Sequence, residues 1–249
     1  MKFELPEIHK ISVDFDGERF EGAWWVIGGG LIVGYIGYTD STFEWGADAN
    51  KIATTMLRKL VRKHYVKLEQ IPMTIPEPIR LAAYRYVNAS LEESVTEEFV
   101  ASFGDSVPGS LVHERLSWLC VNAISMIVPA WKHLCDDNIA EQLYDDLRRW
   151  LADPTRAVDW PTATTPAVGR RNGVQVEDCD ACRLEPTADA VASTARYLQI
   201  ADAADAIAVL SSAGHAYNEG CHSRGAPDRF QKWIVFEVLE SAVKCEPLP

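Results

Sequence analysis

The rest of the chain is organised around residues 113–154, which read HERLSWLCVNAISMIVPAWKHLCDDNIAEQLYDDLRRWLADP. Its apolar residues recur at steps of three and four, which predicts two amphipathic helices. Pro129 predicts a break between them, because its ring removes a backbone donor and clashes with the preceding turn. Asp136 and Asp137 supply acceptors for the free N–H groups of the second helix. The pattern of this stretch predicts helices that pack against other elements, and it contains no motif for a chemical reaction.

The N-terminal part of the chain has the pattern of an antiparallel sheet. Apolar and polar residues alternate within residues 8–46, and glycines mark tight turns at Asp16-Gly17 and at residues 28–30. We expect strands before and after each turn and a short fourth strand at Thr42–Trp45. An amphipathic pattern then predicts a helix from Asp48 to Leu68. The predicted fold class is α+β: a small N-terminal antiparallel β-sheet with a packed helix, followed by a mainly α-helical bundle domain.

Proline and glycine divide the chain into three predicted regions. The proline-rich run at residues 71–78 ends a β-sheet plus helix module at 1–72. A helical, proline-rich connector is predicted at 73–110, and the α-helical bundle at 111–249. Within the bundle, residues 153–184 have little periodicity and predict a long loop. The alanine-rich run at 186–216 predicts either one bent helix or two.

Charge and hydropathy exclude several partners. The formal net charge is -12 and the sequence pI is near 4.9, which argues against nucleic acid, since a phosphate backbone requires a basic face. Five cations in the predicted helix, Lys51, Arg58, Lys59, Arg62 and Lys63, are interpreted as a solvated face.

The longest apolar run, residues 24–38, is shorter than the roughly 20 residues that cross a bilayer. The N-terminus also lacks the apolar run of an export signal. We therefore expect a cytoplasmic protein with no membrane partner and with its six cysteines as free thiols.

A cysteine and histidine set is the sharpest candidate for chemistry. Cys179 and Cys182 have the CxxC spacing of zinc ligands, and Cys221 with His222 could complete a tetrahedral site. Acidic neighbours crowd the first pair, however, and the distance between the pairs is not that of a compact zinc finger. We expect no cofactor, and a zinc-containing small enzyme stays open as an alternative.

Residues 113–216 contain a series of packing motifs: LSWLC at 116–120, IVPAW at 127–131, the acidic pair at 136–137, LRRWLA at 147–152 and the alanine-rich helix that follows. In these motifs the segment resembles an all-helical family of immunity proteins from bacterial polymorphic toxin systems. It covers about half of the chain, and its motifs are packing motifs. The 153–184 insertion and the aromatic N-terminal module depart from the family pattern.

The resemblance implies a non-enzymatic protein that binds a cognate bacterial toxin domain and occludes its active site. An acidic protein suits a basic toxin, because complementary charge accelerates association. The candidate contact residues are four aspartates and three aromatic residues: Asp136, Asp137, Asp145, Asp146, Trp25, Tyr38 and Trp45. A secretion-system adaptor or chaperone that uses the aromatic sheet stays open as a second alternative.

Overall fold

The computed structural model of the protein describes residues 6–36, 38–43, 46, 48–89, 92–135, 137–153, 158, 163–165, 167, 169, 181–220 and 229–248. The chain divides into two compact units. We call the part through Lys67 the sheet unit, and Leu68–His222 together with Arg229–Pro249 the helical unit.

The sheet unit is a four-stranded antiparallel meander with the strands in sequence order. The strands are β1 (His9–Phe15), β2 (Glu18–Ile27), β3 (Gly30–Tyr35) and β4 (Tyr38–Thr42). Opposite residues in the register share a face, so the pairs Ile11–Gly22, Val13–Phe20 and Trp24–Val33 define the inner face. The inner side chains of β1 and β3 are buried, which places the core of this unit on that face.

Helix α1 (Ala49–His64) packs on the inner face of the sheet. Its N-terminus is capped by Asp48, whose carboxylate accepts the backbone N–H of Lys51 at 3.0 Å. A Cβ atom at Gly22 would lie 2.7 Å from the carbonyl oxygen of Gly34 and 2.7 Å from a methyl group of Leu57. Glycine at position 22 therefore allows α1 to approach the sheet closely.

The helical unit contains these helices in the part of the chain that the structure describes: α2 (Glu77–Asn88), α3 (Glu93–Ala101), α4 (Leu111–Ile124), α5 (Val128–Cys135), α6 (Ile139–Ala152), α7 (Ala181–Ile200) and α8 (Ala203–Gly220). The last segment runs through α9 (Arg229–Trp233), a π-helical turn (Ile234–Val238) and α10 (Leu239–Lys244). Helix α4 is central, because it is buried all round from Leu116 to Ile124 and contacts α6, α7, α8 and α10.

Buried polar contacts join segments that are far apart in sequence within this unit. The side-chain amide of Gln231 donates to the carbonyl oxygens of Tyr86 at 2.5 Å and Ala89 at 3.2 Å, which caps the end of α2. The guanidinium of Arg115 donates to the carbonyl oxygen of Val243 at 3.0 Å and so ties α4 to α10. These contacts hold the C-terminal segment against the first helices of the unit.

The structure corrects the predicted fold in how the helical part is bounded. The bundle does not begin at residue 111, because α2 and α3 belong to the same compact unit as the later helices. The segment 73–110 is therefore part of the bundle and not a separate connector. Helix α2 includes Pro78, since proline in a first helical turn lacks only a donor that would be unpaired anyway.

Local boundaries also differ from the prediction. The fourth strand is Tyr38–Thr42, which begins four residues before the predicted start at Thr42 and follows a turn at Ile36, whose φ is 46°. Residues 44 and 45 of the predicted strand lie outside the described residues. The break after α4 lies at residues 125–127, and Pro129 is the second residue of α5. The alanine-rich run forms two helices, with Ala201 at a φ of 56° between them. The predicted loop 153–184 ends earlier, since α7 begins at Ala181.

Among the described residues, the run Leu111–Lys132 is long and apolar enough to span a membrane. The most apolar part of this run is 67% buried inside the protein. This burial is what the central helix of a packed bundle shows, and the run includes the break at residues 125–127.

Candidate functional site

The aspartates predicted as partner contacts serve different roles. Asp137 has a structural role, because its carboxylate accepts the indole N–H of Trp131 at 2.7 Å and the backbone N–H of Ile139 at 3.1 Å. It thereby fixes the turn between α5 and α6. Asp136 lies outside the described residues.

The exposed surface of α6 does not form an acidic patch. Asp146 lies 3.4 Å from the guanidinium of Arg149, and Glu141 lies 3.4 Å from the amine of Lys132. Asp145 is exposed beside these pairs. Cations thus balance most of the local negative charge, which removes the reason for expecting this helix face to steer a basic partner.

The aromatic candidates of the sheet lie on opposite faces. Tyr38 is buried in the core and stacks on His64 with ring centroids 3.4 Å apart, so it is not available to a partner. Trp25 is half-buried on the outer face, where its ring lies over Gly34. Ile27 and Phe43 are 54% and 77% exposed. Trp45 lies outside the described residues.

The predicted zinc ligands mostly fall outside the described part of the chain. Cys179, Cys221 and His222 are among the residues not described, and Cys182 is described only by its place in the first turn of α7. Within the described ranges, no group of three or more His, Cys, Asp or Glu side chains is arranged to hold a metal ion. The zinc site stays a prediction.

Net charge is divided unequally between the two units. Residues 1–67 contain nine acidic and nine basic side chains, so the whole net charge of -12 belongs to residues 68–249. The helical unit is therefore the part of the molecule whose field attracts a basic partner.

A cleft of about 450 Å³ opens on the helical unit. The loop before α4, the first two turns of α4, the end of α6 and the end of α7 line it. Its side chains include His113, Glu114, Trp150 and Leu198. No sequence motif marks this cleft, because α6 and α7 are separated by about 30 residues that have no recognisable pattern.

His113 organises the wall of this cleft and is only 7% exposed. Its Nδ1 accepts the backbone N–H of Gly109 at 3.1 Å, and its Nε2 donates to the carbonyl oxygen of Tyr197 at 3.2 Å. Burial lowers the pKa of His113 below its usual value, against the effect of the hydrogen bonds to the Tyr197 and Leu198 carbonyls. The imidazole is therefore neutral near pH 7 and adds no positive charge to the cleft.

Two helix C-termini give the cleft a negative potential. The last turns of α6 and α7 both line it, and the C-terminal end of a helix dipole is negative. The last turn of α7 contains no basic residue that would offset this potential, whereas the last turn of α6 contains Arg149, which is paired with Asp146. Glu114 also lines the cleft, and its carboxylate, which accepts a hydrogen bond from the thiol of Cys245, forms no ion pair with the described residues.

The cleft suits a cationic group that has an apolar stem. Trp150 is half-buried and presents an indole ring, and aromatic faces attract ammonium and guanidinium groups when these lie within about 6 Å. Leu151 and Leu198 supply apolar surface for the methylene groups of a lysine or an arginine. The arrangement therefore fits a basic side chain of a partner protein.

The polar groups of the cleft do not form a catalytic arrangement. The hydroxyl of Ser110 accepts the backbone N–H of His113 at 3.1 Å, and the hydroxyl of Ser117 donates to the carbonyl oxygen of His113 at 2.7 Å. Both ring nitrogens of His113 are occupied by backbone groups, so among these residues the ring is not placed to take a proton from either serine.

Comparison of the chain with protein-family models, with curated proteins and with solved structures gave no match. The family resemblance of residues 113–216 is therefore still a hypothesis.

Proposed function

We propose that this protein is a cytoplasmic immunity protein that binds a basic antibacterial toxin domain and neutralises it by occluding its active site. The observation that carries the proposal is the electronegative cleft, which is lined by Glu114 and Trp150 and lies on the unit that holds the whole net charge. The resemblance of residues 113–216 to immunity proteins supports the same conclusion.

Binding proceeds in two physical steps. The negative field of the helical unit first draws in a positively charged partner and raises the association rate, an effect that added salt weakens. A lysine or arginine of the toxin then enters the cleft, where the indole of Trp150 and the carboxylate of Glu114 hold its charged end. Tryptophan, tyrosine and arginine are the residue types that contribute most of the binding energy in protein interfaces.

A co-expression experiment tests the proposal. The toxin domain encoded beside the gene for this chain is expressed in a bacterial host, with and without this protein, and growth is measured. We expect growth only when the protein is present, together with a complex that survives size-exclusion chromatography. Growth arrest in both cultures would contradict the proposal, as would a neighbouring gene product that does not bind.

Two variants test the role of the cleft in that complex. Glu114→Gln removes the charge of the cleft, and Trp150→Ala removes its aromatic wall. We expect the affinity of each variant for the toxin domain to fall by about 30-fold or more. Glu237→Gln is the matched control, because Glu237 is exposed on the π-helical turn and does not line the cleft. If calorimetry gives the same affinity for the parent and for all variants, the toxin binds at a surface other than the cleft.

A further inference from the structure

The exposed face of α1 is strongly basic. We define this α1 face by its five cations Lys51, Arg58, Lys59, Arg62 and Lys63, all of which are exposed. The helix contains no acidic residue, although the sheet unit as a whole is neutral. The acidic side chains that balance it lie in other parts of the unit. Positive and negative charges therefore lie in different parts of the sheet unit, and α1 has a positive surface although the net charge of the unit is zero.

The cations are arranged in rows along the helix axis. Lys51, Arg58 and Arg62 are seven and four residues apart, spacings that return to the same side of a helix with 3.6 residues per turn. At a rise of 1.5 Å per residue, these spacings correspond to about 10 Å and about 6 Å. Lys59 and Lys63 form a second, adjacent row four residues apart. The α1 face is therefore a narrow linear array of positive charge.

Few carboxylates neutralise this array. Lys59 lies 3.5 Å from the carboxylate of Asp40, and this ion pair is mostly exposed. The other four cations form no ion pair with the described residues. Exposed surface pairs contribute little energy and exchange readily with a stronger anion. The array is thus free to bind an external anionic partner.

The chemistry of the face selects a polyanion. Every exposed residue of α1 is polar or charged, whereas stable protein interfaces have an apolar or aromatic core. The apolar side of α1, with Leu57, Leu60 and Val61, is buried against the sheet and cannot insert into a lipid bilayer. Two arginines in one row can each bind a phosphate with two hydrogen bonds. A linear chain of phosphates matches a linear array of cations better than a flat membrane does.

We propose that the α1 face binds the phosphate backbone of a nucleic acid without reading its sequence. The net charge of -12 belongs to residues 68–249, whereas the sheet unit that carries the α1 face has no net charge. Such binding depends on the release of counterions from the phosphates, so its affinity falls steeply with salt. With five cations, the slope of log affinity against log salt is expected to reach about -4 for a DNA duplex.

The test measures fluorescence anisotropy of a short labelled DNA duplex with the full-length protein across a salt series. Arg58→Gln combined with Arg62→Gln removes two charges from the long row, and we expect the slope to become shallower by about two. Arg148→Gln combined with Arg149→Gln is the matched control, because it makes the same charge change on exposed positions of α6. The control is expected to bind as the parent does.

Three results would overturn the proposal. The first is an absence of DNA binding by the parent at low salt, and the second is an equal loss of binding in the α1 and α6 variants. The third comes from vesicles of anionic phospholipid, compared with vesicles of neutral phospholipid: a preference for the anionic vesicles over DNA would assign the α1 face to a membrane surface. Circular dichroism of both double variants verifies that they fold like the parent.

Discussion

The two units of this protein organise charge and packing in different ways. The sheet unit is neutral in total and separates its charge, with a basic helix on one side of an aromatic core. The helical unit holds the net charge of -12 and places its negative potential at a cleft where two helices end. A single pI therefore describes neither unit, and the partners of each must be inferred from its own surface.

Gly22→Ala is expected to damage the sheet unit most. The added methyl group would meet a carbonyl oxygen of the neighbouring strand and a methyl group of Leu57, both at 2.7 Å. Such overpacking against backbone costs about 3 kcal/mol in the free energy of unfolding. Hydrogen exchange followed by mass spectrometry should show faster exchange in β1–β4 and α1, while α4 keeps the protection of the parent.

Gly17→Ala is the control for this substitution. Gly17 has a φ of 84°, and a Cβ atom there has no neighbour within 4 Å, so only backbone strain is added. The expected cost is about 1 kcal/mol. Equal losses for Gly17→Ala and Gly22→Ala would show that the approach of α1 to the sheet is not limited by a steric contact.

His113→Ala is expected to destabilise the helical unit by about 2 kcal/mol at pH 8, because two buried hydrogen bonds are lost. Urea unfolding followed by far-ultraviolet circular dichroism measures this loss. The sheet unit should keep its exchange rates, which separates this effect from that of Gly22→Ala.

The loss caused by His113→Ala should depend on pH in a defined direction. Burial lowers the pKa of His113 below its ordinary value of 6.5 in the folded protein. As the pH falls below 6.5, the unfolded chain binds a proton that the folded chain does not, so the parent loses stability. The difference between parent and variant is therefore greatest above pH 6.5 and narrows below it. A difference that stays constant from pH 8 to pH 5 would contradict the lowered pKa.

Local sequence patterns predicted the elements of this fold better than their grouping. The hairpin glycines and the alternation around them identified β1 to β3, and apolar spacing identified α1, α4 and α6. The grouping of α2 and α3 with the bundle depends on contacts between distant segments, such as the one from Gln231 to Tyr86. No periodicity within either segment specifies that pairing.

The candidate site was harder to predict for the same reason. Asp137 was expected at the start of α6, and the structure places its carboxylate there, but as a link to Trp131 and not as an exposed contact. Tyr38 has the residue type of a binding anchor and lies in the core, because its strand register directs it to the inner face. The cleft at His113 forms because α7 packs against α4, and the sequence of neither helix alone predicts this contact.

Tyr86→Phe is expected to stabilise the helical unit slightly. Among the described residues, the buried hydroxyl of Tyr86 has no hydrogen-bond partner, while its ring stacks on Phe99 with centroids 4.6 Å apart. Removing an unpaired buried hydroxyl and keeping the ring should raise the free energy of unfolding by about 1 kcal/mol. A loss of stability in urea unfolding would show that the hydroxyl forms a hydrogen bond in solution.

Added salt should have the smallest effect and should separate the two units directly. Like charges repel within the helical unit, whose net charge is -12, and salt screens this repulsion. The sheet unit has nine acidic and nine basic side chains, so its charges have no net repulsion to screen. Raising sodium chloride from low to physiological concentration should slow hydrogen exchange in α4 and α7 by an amount equal to about 0.5 kcal/mol, and leave β2 and β3 unchanged. Equal slowing in both units would mean that their charges act as one field, and the separate assignment of a basic partner to the cleft and an anionic partner to the α1 face would then lose its basis.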